Sequence, residues 1–114
     1  MKAHFSNTGL FLAATILSLT ISTPAVEVKE LWEKNCASCH GKDGRGETKM
    51  GKKAGVKDYT DPKVQEAMKD DDAIKAIKEG KKDKGKEVMK PFAEKLSDDE
   101  VKALAAYVRT FKKQ

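Results

Sequence analysis

The sequence predicts an all-α fold contained in one small domain. Three observations carry this. Apolar residues recur at helical spacing in four separate segments, no segment shows a sustained strand-like alternation, and helix-capping signals stand where those segments begin and end. A chain of 114 residues, 36% of them charged, has material for a single core only.

The segment before the first helix is foreign to the rest. Lys2 lies in a short basic start, Gly9 to Ile21 is apolar, and "STPA" ends on small residues, the layout of a secretory signal peptide. Thr23 and Ala25 have the spacing expected for cleavage after Ala25. Residues 1–25 are therefore expected to be a leader and residues 26–114 the domain. The apolar run falls well short of the roughly 20 residues needed to cross a bilayer, so no membrane span is expected once the leader is gone. Its removal also takes away His4, which leaves His40 as the only histidine.

Four helices follow in order. Val26 to Asn35 places Val28, Leu31 and Trp32 on one face. Asp61 can cap a second helix with Pro62 in its first turn, and Val64, Ala67 and Met68 would form its apolar stripe. A third runs from about Asp71 to Glu79, burying Ile74 and Ile77, with Gly80 placed to end it. In the last, Ser97 and Glu100 make a capping box, Leu96 and Val101 a hydrophobic staple, and Val101, Leu104, Ala105, Val108 and Phe111 one continuing face. The segments Gly41 to Lys57 and Gly80 to Lys90, rich in glycine and lysine, read as loops. Beyond the leader the only aromatics are Trp32, Tyr59, Phe92, Tyr107 and Phe111, so the core is poor in its own material. Domains of this size commonly need a staple or a buried group to complete them.

Both cysteines and His40 fall in one stretch, "CASCH", Cys36 to His40. A CxxCH spacing lets two thiols reach one porphyrin edge as thioethers while the adjacent histidine turns under the iron as an axial ligand. Three other chemistries fit less well. A thioredoxin-like dithiol wants a strand before it and an α/β fold around it. A zinc site wants a fourth cysteine or histidine, and none remains. A plain disulfide closes only a tiny loop and leaves His40 unexplained. One covalently bound haem c also supplies the apolar bulk that the core lacks.

With a helix just before CxxCH, a methionine and proline strap late in the chain, and a last helix reading "LSDDEVKALAAYVRTF", the chain resembles the class I c-type cytochromes over nearly all of residues 26–114. The resemblance implies a small cytochrome c fold of about four helices around one covalent haem. In that fold the first and last helices cross and a methionine closes the haem from the far side. Met68 lies on a helical stripe and reads as core filler. Met50 is within reach of the iron by an extended loop and stays open as an alternative. Met89 has the stronger case. Pro91 pushes Lys90 into an extended conformation, so "VMKPF" forms a strap that can present a thioether without taking a residue from the packed faces.

The chain departs from the family pattern in three places. Val28 stands where many relatives have a glycine that lets the terminal helices approach, so a looser or shifted crossing is expected. No proline occurs between His40 and Pro62, so another carbonyl of the glycine loop is expected to accept the His40 ring N–H. Lys90 opens the usual methionine and proline pair.

Histidine and methionine together would fill the iron's coordination sphere, which points to an electron carrier and not to an enzyme. The rival function is a haem-based sensor or minor peroxidase with a displaceable sixth ligand. The expected setting is the periplasm and the expected state a monomer. Lys52, Lys53, Lys57, Lys81, Lys82, Lys84, Lys86 and Lys90 crowd the two loops, so redox partner proteins are expected to dock on a lysine-rich face. Nucleic acid is not expected as a partner, because no aromatics interleave the lysines.

Overall fold

The computed structural model describes residues 2–3, 9–19 and 23–113, apart from the side chain of Val26. Residues 1, 4–8, 20–22 and 114 lie outside the described residues, and with them His4, Ile21 and part of the expected leader. Residues 9–19 have no regular structure, and Leu10, Phe11, Leu12, Ile16, Leu17 and Leu19 are exposed. Among the described residues no helix is long and apolar enough to cross a membrane.

Six helices and a two-stranded hairpin follow: α1 (Pro24–Asn35), α2 (Ala37–His40), α3 (Lys49–Ala54), α4 (Pro62–Ala67), α5 (Asp70–Glu79), β1 (Lys81–Asp83), β2 (Lys86–Met89) and α6 (Asp98–Arg109). The four expected helices are present as α1, α4, α5 and α6. Helix α1 begins two residues early because Pro24 suits a first helical turn, so Ala25 lies inside that turn.

The capping expected at α4 and α6 is found. Asp61 accepts a hydrogen bond from the Lys63 N–H at 2.9 Å. At α6 the Ser97 hydroxyl accepts from the Glu100 N–H at 3.1 Å, and the Glu100 carboxylate accepts from the Ser97 N–H at 2.9 Å. Leu96 and Val101 are both buried at that junction, as the staple requires. On α4 the apolar stripe is narrower than expected. Val64 and Met68 are half-buried, Ala67 is exposed, and Met68 has left the helix for an extended conformation.

Both expected loops contain regular structure. In the first, α3 forms where Thr48 caps its start by accepting from the Gly51 N–H at 2.8 Å, and just before that loop the short α2 carries Cys39 and His40. Gly55, at φ 71°, ends α3 in the left-handed conformation that glycine tolerates. In the second, β1 and β2 pair antiparallel around Lys84 and Gly85, whose φ values of 50° and 78° make a two-residue hairpin turn. The expected helical fold is found, with a small hairpin added to it: the strap bearing Met89 is the end of a short strand.

The core lies where α1, α5 and α6 meet. Val101 and Leu104 of α6 are fully buried, joined by Ala105, Val108, Trp32, Ile77, Phe92 and Leu96. Between α1 and α6 runs a groove of about 520 Å³ lined by Pro24, Val28, Leu31 and Ala103 among others. The same packing fixes the last turn of α1, from which the CxxCH residues continue.

Candidate functional site

The chain turns sharply as α1 ends. Cys36, at φ −120°, breaks the helix, yet its N–H still donates to the Trp32 carbonyl at 2.9 Å. The His40 N–H then donates to the Cys36 carbonyl at 2.9 Å, which makes Cys36 to His40 one helical turn. Residues three and four apart on such a turn share a face, so Cys36, Cys39 and His40 are brought together. Both cysteines are free thiols, Cys36 buried and Cys39 half-buried.

Burial, and then the neighbouring Cys39, pushes the Cys36 thiol up to about 11. A reactive dithiol needs the opposite shift, toward a thiolate at neutral pH, so this environment does not suit thioredoxin-like exchange. Among the described residues, no three histidine, cysteine or carboxylate side chains are grouped so that they could hold a metal ion.

The His40 imidazole lies between two aromatic rings, 5.5 Å from Trp32 and 5.4 Å from Tyr59, the latter nearly parallel at 27°. Burial, and secondly the charge of Lys81, lowers its pKa, which keeps the ring neutral as a metal ligand must be. Its Nδ1 is buried with no hydrogen-bond partner among the described residues. The acceptor expected from the glycine loop is therefore not found. The carbonyl of Gly41 accepts from the Trp32 indole N–H at 2.9 Å, that of Gly44 from the Tyr59 N–H at 2.9 Å, and that of His40 itself from the Gly46 N–H at 2.8 Å. These carbonyls already have donors.

Helix α3 supports the site from behind. The Thr48 hydroxyl donates to the Cys39 carbonyl at 2.7 Å, and Gly51 packs so tightly on that carbonyl that a side chain there would collide with its oxygen. This close backbone approach seats α3 against α2.

The three methionines differ in setting. Met50, on α3, is 58% exposed. Met68 is half-buried beside α4 and packs on the core. Met89 ends β2, is half-buried against the same core, and pairs across the hairpin with Lys81, the residue whose charge reaches His40. Its strap is tied down on both sides. Gly80 approaches the Met89 carbonyl closely enough that a side chain at Gly80 would clash, and the N–H of Phe92 donates to the Ile77 carbonyl at 3.0 Å.

Two residues near the site escaped the sequence. Tyr59 belongs to no apolar stripe, and its only signal was being an aromatic just before the Asp61 cap. Gln65 is buried in α4, and its Nε2 donates to the carbonyls of Tyr59 at 2.7 Å and Val108 at 2.8 Å. Nothing in a polar residue's helical position announces that.

A half-buried imidazole held neutral beside two thiols on one turn, with aromatic neighbours and a methionine at the end of β2, fits a covalently attached haem. Comparison with known proteins agrees. Residues 25–112 match the family model described as cytochrome c. The chain is 33% identical over 84 residues to cytochrome c-554(547) of Halothiobacillus neapolitanus, covering 74% of this chain and 92% of the relative. To cytochrome c-553 of Helicobacter pylori it is 34% identical over 104 residues, covering 90% of this chain and 97% of the relative. Among solved structures, the KustC0563 c-type cytochrome superposes with a TM-score of 0.68 at 40% identity, over 75% of this chain and 96% of its own. The motif, the fold and these likenesses agree, and the chain belongs to the cytochrome c family.

Proposed function

We propose that Cys36 and Cys39 hold the haem c of this cytochrome through thioethers, and that His40 and Met89 are the axial ligands of its iron. The family implies the covalent haem and electron transfer. The finer reading adds export to the periplasm after loss of residues 1–25, and action there as a monomeric carrier of single electrons with no bond-making step of its own.

The observation that carries the reading is the His40 imidazole, which burial keeps neutral, on the same turn as two free thiols. A ring held neutral needs no proton loss before it can donate to a metal. The pairing of Met89 with Lys81, whose charge is felt at His40, supports Met89 as the ligand from the other side. The exposure of Met50 weighs against it.

When bound, haem supplies a one-electron couple at its iron. The residues around it would have separate tasks: Cys36 and Cys39 would hold the group through thioethers and prevent its loss, His40 and Met89 would ligate the iron, and Trp32, Tyr59 and Phe111 would help keep water from His40. A soft thioether favours the ferrous state relative to a harder donor.

The test is the absorption spectrum of the ferric holoprotein. A weak far-red band of thioether to iron is expected in the wild type and in Met50→Ala and Met68→Ala, and should vanish in Met89→Ala. Its survival in Met89→Ala refutes the ligand assignment, and release of the pigment into acidified acetone refutes the thioethers.

A further inference from the structure

The orientation of the His40 ring is not set by a hydrogen bond at its Nδ1, which has no partner among the described residues. Rotation of an imidazole about its last side-chain bond is governed by a broad potential, so something else must hold the ring. Two aromatic rings stand against it among the described residues, those of Trp32 and Tyr59. Trp32 is anchored through its indole N–H to the Gly41 carbonyl.

Tyr59 is anchored through its backbone. Its N–H donates to the Gly44 carbonyl at 2.9 Å, and its own carbonyl accepts from the Gln65 amide at 2.7 Å. Gln65 is only 4% exposed, and three of the four hydrogen bonds its side chain can make are used on the tertiary structure. Nε2 also donates to the Val108 carbonyl at 2.8 Å, and Oε1 accepts from Arg109 Nη1 at 3.1 Å.

Arg109 in turn fixes Gln65. Its Nη1 donates to the Gln65 carbonyl at 2.6 Å, its Nη2 to the Met68 carbonyl at 2.6 Å, and its Nη2 and Nε to the Asp70 carboxylate at 2.8 and 3.1 Å. The guanidinium thereby satisfies the open carbonyls at the end of α4 and joins α4, α5 and α6. An apolar side chain at position 65 would fill the space without needing partners. A buried amide with both N–H donors and its oxygen engaged specifies one geometry.

We propose that Gln65 and Arg109 are positioning residues for the axial histidine: they hold Tyr59 flat against His40 and so fix the plane of the imidazole in the holoprotein. The inference rests on His40 being the iron ligand. Groups that orient a ligand tune the metal it binds, so the clamp would reach the reduction potential of the bound haem through His40.

The experiment uses the ferric holoprotein labelled with ¹⁵N-histidine, and reads the paramagnetically shifted His40 ring signals by NMR and the midpoint potential by spectroelectrochemistry. Gln65→Glu keeps the size and the oxygen that faces Arg109 but cannot donate to Tyr59. Arg109→Lys keeps the charge but loses the fork. Tyr59→Leu removes the ring, and Ser97→Ala is a control that weakens α6 far along the chain from the clamp.

Gln65→Glu and Arg109→Lys are expected to move the His40 signals and the potential in the same sense as Tyr59→Leu, and Gln65→Glu should have no further effect in the Tyr59→Leu background. If both clamp variants lose stability while signals and potential stay at wild-type values, as in Ser97→Ala, the inference is overturned. Should Gln65→Glu not fold, Arg109→Lys decides by the same criterion. A wild-type holoprotein without shifted His40 signals overturns the ligand assignment itself, and the clamp with it.

Discussion

The indole N–H of Trp32 donates to the carbonyl of Gly41 at 2.9 Å, tying the last turn of α1 to the residue that follows His40. Trp32 is 2% exposed and also meets Tyr107 and Phe111 at ring distances of 5.8 and 5.0 Å. One side chain therefore joins the α1–α6 core to the CxxCH turn, so core stability and site geometry are coupled.

The coupling predicts a graded response at position 32. Trp32→Phe keeps most of the ring but leaves the Gly41 carbonyl with only the Gly44 N–H at 3.2 Å, a loss of about 1 kcal/mol. Trp32→Ala empties a core site and should cost about 3–5 kcal/mol. Denaturant unfolding of the two holoproteins checks the order. Equal losses would mean that the hydrogen bond, and not the ring, dominates.

Gly51 and Gly55 lie in and just after α3 and should answer differently to alanine. At Gly51 the new Cβ meets the Cys39 carbonyl oxygen, a backbone atom that cannot swing away. The substitution should cost about 1–3 kcal/mol or more and lower the yield of pigmented protein, because α2 must shift. At Gly55 no atom lies within 4 Å of the new Cβ, and only the left-handed φ of 71° is strained. About 1–2 kcal/mol is expected there, with pigment yield unchanged. Absorbance per mole of purified protein and thermal unfolding separate the two.

Asp58 gives the chain an acid-sensitive turn. The Thr60 hydroxyl at 2.6 Å, together with the Thr60 N–H at 2.9 Å, holds its carboxyl below the usual range, against a smaller opposing effect of burial. A depressed folded pKa means stability that is present above the unfolded value, roughly 3.9, and lost as pH falls through the folded one. Thr60→Val removes the hydroxyl, so Asp58 should titrate at higher pH. The wild type's advantage over the variant should stay flat above about pH 5 and shrink in acid. Carboxyl-carbon NMR of Asp58 and unfolding across that range test it; an advantage that grows in acid contradicts the sign.

What was legible in the sequence was whatever depends on local chemistry. Ser97, Glu100, Leu96 and Val101 define the start of α6 by themselves, and Asp61 with Pro62 does the same for α4. The Cys36, Cys39 and His40 spacing carries its meaning on any scaffold. Helix α3 was hidden because "KMGKKA" has no apolar stripe; its cap and the fit of Gly51 onto Cys39 form it from outside. The hairpin was hidden because its strands are mostly charged and mostly exposed, leaving only the Lys84 and Gly85 turn as a signal. Gln65 carried no signal in the sequence because the partners that bury it come from residue 59 and from α6.

The hairpin also sets the last expectation. Lys81, Lys82, Lys84 and Lys86 are all exposed on the element that ends in Met89, so their charge lies beside the proposed iron ligand and only Asp83 and Glu87 interrupt it. If that charge steers partners, its position should matter more than the net charge of the protein. The double variant Lys82→Glu, Lys84→Glu should slow oxidation of the ferrous protein by anionic ferricyanide by about tenfold at low salt and flatten its salt dependence. Lys69→Glu with Lys102→Glu changes the net charge equally but lies on other elements, and should have a much smaller effect. Stopped-flow rates over a range of ionic strength decide between them, and equal slowing in both doubles would reduce the lysines to a general contribution to charge.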